Sequence, residues 1–270
     1  MMLSFVKMHG LGNDFIVIDA ITSEVNLSSD MIAALADRHT GIGFDQVLII
    51  KPSHHADFFC EIYNADGSEA EQCGNGLRCV ARYLHEEDII MQPSFTIATK
   101  AGLFPVYIQD YDHIRVTLGA PEIQENLLSF EVAGNQRLPM SVMKIGNPHA
   151  IIKLNSINDV STETLGKEIS THQYFPQGTN VGFMQVTAPD HIHLRTYERG
   201  VGETLACGSN ACAATVAGIV NHWLKNRVSV EFRYGSLLIE WEGAGKPIHM
   251  TGPAARVFNG IVCHPVLRSG

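Results

Sequence analysis

The sequence predicts an α/β (α+β) protein of two pseudo-symmetric domains, each a mixed β-sheet wrapped around a central helix. Three observations carry that prediction. First, one stretch occurs twice. Tyr63 to Ala81 reads YNADGSEAEQCGNGLRCVA, and Tyr197 to Ala214 reads YERGVGETLACGSNACAA. In both, a cysteine follows the tyrosine by ten residues, glycine follows the cysteine, and glutamate (Glu69, Glu203) precedes it by four. Second, the separation of Cys73 and Cys207, 134 residues, relates other pairs along the chain. Gly12-Asn13 falls on Gly146-Asn147, Ser28 on Thr162, Met31 and Leu35 on Leu165 and Ile169, Gln46 on Asn180, and Ile114 and Thr117 on Ile248 and Thr251. Such a gapless period is too long for a solenoid and suits two copies of one domain. Third, Ser209 to Leu224 is dominated by Ala, Val, Ile and Cys. A helix with so little polar face is buried all round, as a wrapped sheet would bury it.

Residues 3 to 8 read as a strand running into HGLGNDF, where two glycines with Asn-Asp mark a tight loop. Phe15 to Ile18 is a short apolar run, a buried strand. Residues 28 to 38 form a helix that Ser28 or Ser29 caps, with Met31, Ile32 and Leu35 as its apolar face and Gly41 as its stop. GIGFDQVLII turns into a strand, and residues 57 to 63 form another that delivers Asn64 to a loop end. Leu77, Val80, Ala81 and Leu84 recur at helical spacing, so a helix opens on Cys73-Gly74-Asn75. Short strands occupy 94 to 118. Gly119 to Gln136 carries Pro, Asn and Gly and reads as the crossover between domains 1–118 and 119–270. The second copy repeats this order. Beyond Thr251 the tail outruns the repeat, and it is expected to return and pair with the first domain, packing on it from about residue 258.

With 45% hydrophobic and 17% charged residues the 270-residue chain is globular. A net charge of −9 and the lack of a basic run argue against nucleic acid. No apolar run has the length of a membrane span, and the N-terminus lacks a signal-peptide core. The expected location is the cytoplasm, where the six cysteines are thiols.

Two matched cysteines at helix starts suggest a chemistry. The helix dipole and free N–H groups favour a thiolate there, and the same N–H groups bind anions. Each unit could hold a carboxylate beside a reactive sulfur. Two such units would set a thiolate and a thiol on opposite faces of one carbon, which fits racemisation or epimerisation. Cys60, Cys79, Cys212 and Cys263 read as small buried hydrophobes. A zinc site is not expected, for lack of CxxC pairs and tight Cys/His spacing, and no nucleotide loop of the GxGxxG or GxxxxGK kind is present.

KMHGLGNDF, Asn64-Ala-Asp-Gly, CGNGLRC, GNPH, GTNVGF and ERGVGETLACG, in that order from Lys7 to Gly208, with GPA…VF beyond Thr251, resemble the diaminopimelate epimerase family. The resemblance implies two pseudo-symmetric α/β domains with the active site in the cleft between them. It implies interconversion of LL- and meso-diaminopimelate for lysine and peptidoglycan synthesis, with no cofactor and no metal. It implies Cys73 and Cys207 as the two bases and His149 and Glu198 as residues that tune them. Gly74-Asn75 and Gly208-Ser209 would hold the α-carboxylate. Asn13, Gln46, Asn64, Asn147, Asn180, Glu198 and Arg199 match substrate contacts, Arg199 as a fork for the distal carboxylate. Apart from its place in GNPH, His149 reads as a loop histidine.

Two residues depart from the family pattern. Asn210 stands where the family has glycine at the helix start, and Phe258 where some members have a tyrosine at a dimer interface, so a homodimer resting on that hydroxyl is in question. Two other functions fit parts of the pattern. A proline or hydroxyproline racemase shares the architecture without needing a distal anchor. A thiol redox or binding protein would use Cys73 and Cys207 as a switchable disulfide.

Overall fold

The computed structural model describes residues 2–132 and 136–263. The chain divides into two compact units, 1–116 with 252–270, and 117–251.

In the first unit β1 (Leu3–Gly10) turns back as antiparallel β2 (Asn13–Asp19). Leu11 and Gly12 between them both have positive φ (56° and 88°), which a two-residue hairpin turn of this hand requires. Helix α1 (Ser29–Ala36) is capped by Ser28, whose Oγ accepts from the Met31 N–H, and it carries the chain to β3 (Gln46–Pro52), parallel to β2. Antiparallel β4 (Phe58–Asn64) and the short β5 (Glu69–Ala70) lead into α2 (Gly74–Glu86). Then β6 (Ser94–Thr99), parallel to β4, opens an antiparallel meander with β7 (Gly102–Ile108) and β8 (Ile114–Leu118).

Strand alternation puts a helix on each face of this sheet. Ile16, Ile18, Val47 and Ile49 pack with Ile32 and Leu35 of α1. Leu48, between them in sequence, faces Gly76 of α2. Nine of the thirteen residues of α2 are buried.

The second unit repeats the pattern. β9 (Glu122–Val132) and β10 (Gln136–Ile145) pair antiparallel, and β11 (Asn147–Leu154) follows β10. α3 (Thr162–Ser170), capped by Ser161, leads to β12 (Asn180–Ala188), parallel to β11. β13 (His191–Glu198) and β14 (Gly202–Thr204) precede α4 (Gly208–Val220), with ten of thirteen residues buried. β15 (Arg227–Phe232), β16 (Gly235–Trp241) and β17 (Ile248–Gly252) complete the meander. Equivalent registers keep the repeat: Phe15 pairs with Gln46 as His149 does with Asn180, and Tyr63 pairs with Glu69 as Tyr197 does with Glu203.

The repeat is not gapless. Ser94 and Arg227, which open equivalent strands, are 133 apart, while Ile114 and Ile248 are again 134 apart. The loop after α4 is one residue shorter than that after α2, and the loop before β17 is one longer than that before β8.

Both central helices end alike. Asp88 (φ 54°) and His222 (φ 61°) take the left-handed conformation, and the next N–H reaches back to Leu84 or Gly218. This stop ends α4 at Val220 rather than at the expected Leu224. No glycine marks it, so the sequence does not announce it.

The units divide at 116/117, two residues before the expected 118/119. The stretch expected as a crossover, 119 to 136, contains the eleven-residue β9, which supplies β10 with a partner along its free edge. The chain rejoins the first unit from Gly252, in line with the tail expected to return beyond Thr251, and β18 (Ala255–Val262) pairs with β1 over nearly its whole length, beginning before the expected 258. β9 thus follows the first repeat but belongs to the second unit, and β18 follows the second repeat but belongs to the first. Phe258 lies on β18, half exposed, with its ring edge-on to Phe5 at 6.0 Å.

Candidate active site

The first unit gathers its polar residues where β2 begins, where β3 meets β4, and where α2 starts. Cys73 is the N-cap of α2, its sulfur accepting from the Gly76 N–H at 3.4 Å. The sulfur also lies 3.8 Å from Asn13 Oδ1, which accepts from Asn75 Nδ2 at 3.2 Å. Asn13 Nδ2 donates to Asp45 Oδ2 at 2.9 Å. The turn that carries Asn13 is braced from below. Lys7 and Arg38 both bind Asp14, and although burial alone would raise that carboxyl, their hydrogen bonds hold it at about 2. Asn75 Oδ1 accepts from Arg78, a guanidinium with no solvent exposure whose Nε donates to the Pro253 carbonyl at 3.1 Å. Gln46 Nε2 donates to Asn64 Oδ1 at 2.9 Å, leaving Gln46 Oε1 buried without a protein partner. A buried acceptor of that kind is ready for a ligand's N–H donor. Gly74, next to Cys73, is the first residue of α2.

The second unit builds its counterpart differently. Cys207 is the N-cap of α4 and nearly wholly buried, and Ser209 Oγ lies 3.4 Å from its sulfur. Gly208 is buried behind it. Burial first, and then the charge of Glu198, push this thiol well above its ordinary range; the Ser209 hydroxyl and the Asn210 N–H act the other way and lose. Burial thus favours the thiol form of Cys207, whereas its place at a helix start alone would favour the thiolate. Thr204 Oγ1 donates to Glu198 Oε1. Asn180 Oδ1 accepts the Arg199 N–H at 2.9 Å, and Arg199 Nη1 donates to the Gln177 carbonyl, also at 2.9 Å. Arg199 lies against Gly178 (φ 73°), where a Cβ would come within 2.8 Å of its Cδ. Its outer face is exposed.

His149 is not in a loop. It sits in β11 with no solvent exposure, Nδ1 3.0 Å from Asn210 Oδ1 and Nε2 2.9 Å from Asn147 Oδ1. Burial, and to a lesser degree the Arg199 charge, press the ring down to about 4. A loop histidine was expected because Pro148 precedes it, but proline is tolerated near the first residue of a strand.

Glu69 and Glu203, matched in the repeat, hold loops: Glu69 binds Lys100, and Glu203 takes Arg195 through both oxygens. All six cysteines carry free thiols. A cluster not expected from the sequence brings together His191, His193 and Glu231, whose ligand atoms lie within 4.8 Å of one another. The signal was there: His-x-His on a strand puts both rings on one face, and Glu231 pairs opposite His193 on parallel β15. Among the described residues no helix is long and apolar enough to cross a membrane.

Comparison with known proteins agrees with this architecture. The structure is similar to a phenazine biosynthesis protein of the PhzF family from Bacillus anthracis, with a TM-score of 0.76 at 16% identity over 98% of this chain and 100% of that one. It is similar to a hydroxyproline epimerase from Agrobacterium vitis with bound trans-4-OH-L-proline, with a TM-score of 0.74 at 17% identity over 98% and 94% of the two chains. It is also similar to a methylitaconate-delta-isomerase, with a TM-score of 0.61 at 14% identity over 97% and 95% of the two chains. At these identities the likeness shows a shared fold. A family model described as diaminopimelate epimerase matches residues 5–124 and 141–257, and with both repeats inside that match the chain belongs to the diaminopimelate epimerase family.

Proposed function

We propose that the protein interconverts LL- and meso-diaminopimelate by proton transfer at the α-carbon, with Cys73 and Cys207 as the two acid–base groups. The observation that carries this reading is the pair of N-cap cysteines at equivalent positions of a duplicated fold, set in unlike surroundings. A proton exchange with inversion needs one group as base and one as acid at the same moment. Cys207, buried beside Glu198, is the thiol that donates. Cys73, only partly buried, serves as the thiolate that abstracts. The C–H pair of electrons is left on the α-carbon, shared with the adjacent carboxylate. The Cys207 proton then attaches to the opposite face, leaving a Cys207 thiolate and a Cys73 thiol. The reverse reaction uses the same groups with their roles exchanged.

The remaining residues bind and orient. N–H groups at the starts of α2 and α4, including those of Gly74, Asn75, Gly208 and Ser209, face the charge that the carboxylate takes up. Arg199 takes the distal carboxylate as a fork donor. Asn13, Gln46, Asn64, Asn147 and Asn180 serve the substrate's ammonium and carboxylate groups, since an amide offers both donor and acceptor.

The fold neighbour that binds hydroxyproline favours a second reading, a racemase of proline-type substrates. Such a substrate would leave Arg199 and the amide set without a distal partner. One experiment separates the readings. Purified, reduced protein is incubated in D₂O with LL-diaminopimelate, L-proline or trans-4-hydroxy-L-proline, and loss of the α-proton signal is followed by NMR. Exchange with diaminopimelate alone is expected. Exchange with a proline alone would overturn the assignment of substrate, and exchange with none would overturn the amino-acid epimerase reading.

A further inference from the structure

The geometry points to Asn210 as a positioning residue: it fixes which nitrogen of His149 carries the proton, and through that ring it turns the Asn147 amide so that its oxygen faces outward. This rests on the reading that Asn147 contacts substrate.

A chain of hydrogen bonds inside the second unit links the three residues. Asn210 has no solvent exposure, and its Nδ2 donates to the Val181 carbonyl at 3.4 Å. A backbone carbonyl only accepts, so the NH2 must face it and Asn210 Oδ1 must face the ring. Oδ1 only accepts as well, so His149 Nδ1, 3.0 Å away, carries a proton. His149 is fully buried between two neutral amides, and the one charge that bears on it, Arg199, is of the same sign as an imidazolium. A charged ring there would lack an anionic partner, so the ring is neutral. Nε2 then has no proton and must accept. The Asn147 atom 2.9 Å from Nε2 must therefore be its NH2, with the amide turned about from the orientation that puts Oδ1 there. Its oxygen is left pointing away, an acceptor suited to an ammonium group.

The repeat supplies an independent observation. At the 134-residue offset, His149, Gly182 and Asn210 stand where the first unit has Phe15, Leu48 and Gly76. There, Leu48 leans on Gly76, its δ-carbons 3.0 and 3.2 Å from where a Cβ would be. In the second unit the large and small residues are exchanged: Gly182 leaves room, and Asn210 Oδ1 lies 3.4 Å from where a Cβ of Gly182 would be. An apolar pair would fill the same room without the cost of burying an amide. The exchange puts a polar group where it reaches the imidazole, on a helix whose buried residues are mostly Ala, Val, Cys and Gly, with Thr215 the other buried polar side chain among them.

The test reads the ring directly. Protein labelled with 15N-histidine is studied by long-range 1H–15N correlation at neutral pH, with the His149 signals assigned by their loss in His149→Gln. A neutral ring protonated at Nδ1 is expected. Asn210→Gly, which restores the residue of the first repeat, and Asn210→Ala should release the ring to populate the Nε2–H form. In both, KM for LL-diaminopimelate should rise on the order of tenfold, with kcat falling less. Asn210→Asp keeps an acceptor facing Nδ1 and should retain that proton. A wild-type ring protonated at Nε2 alone, or at both nitrogens, would overturn the assignment. So would an Nδ1–H ring unchanged in Asn210→Gly, since a purely structural role would lower stability without moving the tautomer. The spectra need no substrate, so they decide the point even if diaminopimelate is not turned over.

Discussion

Replacing Arg78 with alanine tests how the first half-site is held. The side chain has no solvent exposure, and it bonds the carbonyl of Pro253 at 3.1 Å and Asn75 Oδ1 at 2.9 Å. It thereby ties the helix behind Cys73 to the segment that returns to the first unit at Gly252. Truncation leaves two buried acceptors short of a charged donor and opens a cavity. A hydrogen bond to a charged group contributes about 1.5–3 kcal/mol, and each buried acceptor left without its donor costs about 1–3 kcal/mol. We expect a loss of about 4 kcal/mol in urea unfolding at pH 7, with a drop in Tm of roughly 10 °C. Asn75, released from Arg78, should then loosen its bond to Asn13, so that KM rises together with the loss of stability. Arg78→Lys, which keeps the charge but loses the fork, should fall between the two. A loss under about 1 kcal/mol in Arg78→Ala would mean that the two bonds do not hold the helix and that the reasoning from burial is wrong.

Three further outcomes are expected. Cys73→Ser and Cys207→Ser should each lower epimerisation by roughly 10²–10⁴-fold, as removal of a general base does, and near-wild-type turnover in either would exclude a two-base mechanism. Arg199→Ala should weaken diaminopimelate binding by about 1.5–3 kcal/mol; unchanged affinity in titration calorimetry would remove this residue from the distal site. Stability should fall on acidification through the window between about 6.5 and about 4. There the unfolded His149 binds a proton that the folded ring refuses, so unfolding is favoured as pH drops, by roughly 3 kcal/mol in all. Unfolding curves of His149→Gln should be flatter across that window, and an equal slope in both proteins would show that the ring is not held neutral.

Much of the fold was legible because the duplication let each half check the other. Cys73 and Cys207, equal in spacing, gave both helix starts, and Phe15, Val17 and their neighbours gave strands buried on both faces. What escaped was set by partners distant in sequence. Glu122 to Leu128 is almost wholly exposed and carries no alternating signal, so nothing local marks it as a strand; it becomes one because β10 has an edge to fill. Asp88 and His222 end helices in a conformation usually given to glycine, and their residue types hide it. At the candidate site the residue types were legible and their states were not. Asn210 was visible as a departure from the family, but its contact with His149 depends on Gly182 in another strand. The protonation of Cys207 depends on burial that no motif encodes.

The exchange of β9 and β18 makes the two units unequal as folding problems. The second is a continuous stretch, 117 to 251, and its β10 finds β9 a few residues upstream. The first needs Leu3 to meet Val262, 259 positions away. Contact order of that size slows folding, because the chain must close an enormous loop before the pairing repays it. During synthesis β1 would emerge long before β18 and wait with one edge bare while the residues between them are made, exposed to pairing with other molecules. A fragment covering 117 to 251 should therefore fold from its own sequence, while 1 to 116 should stay open and self-associate until residues 252 to 263 are supplied, even as a separate peptide.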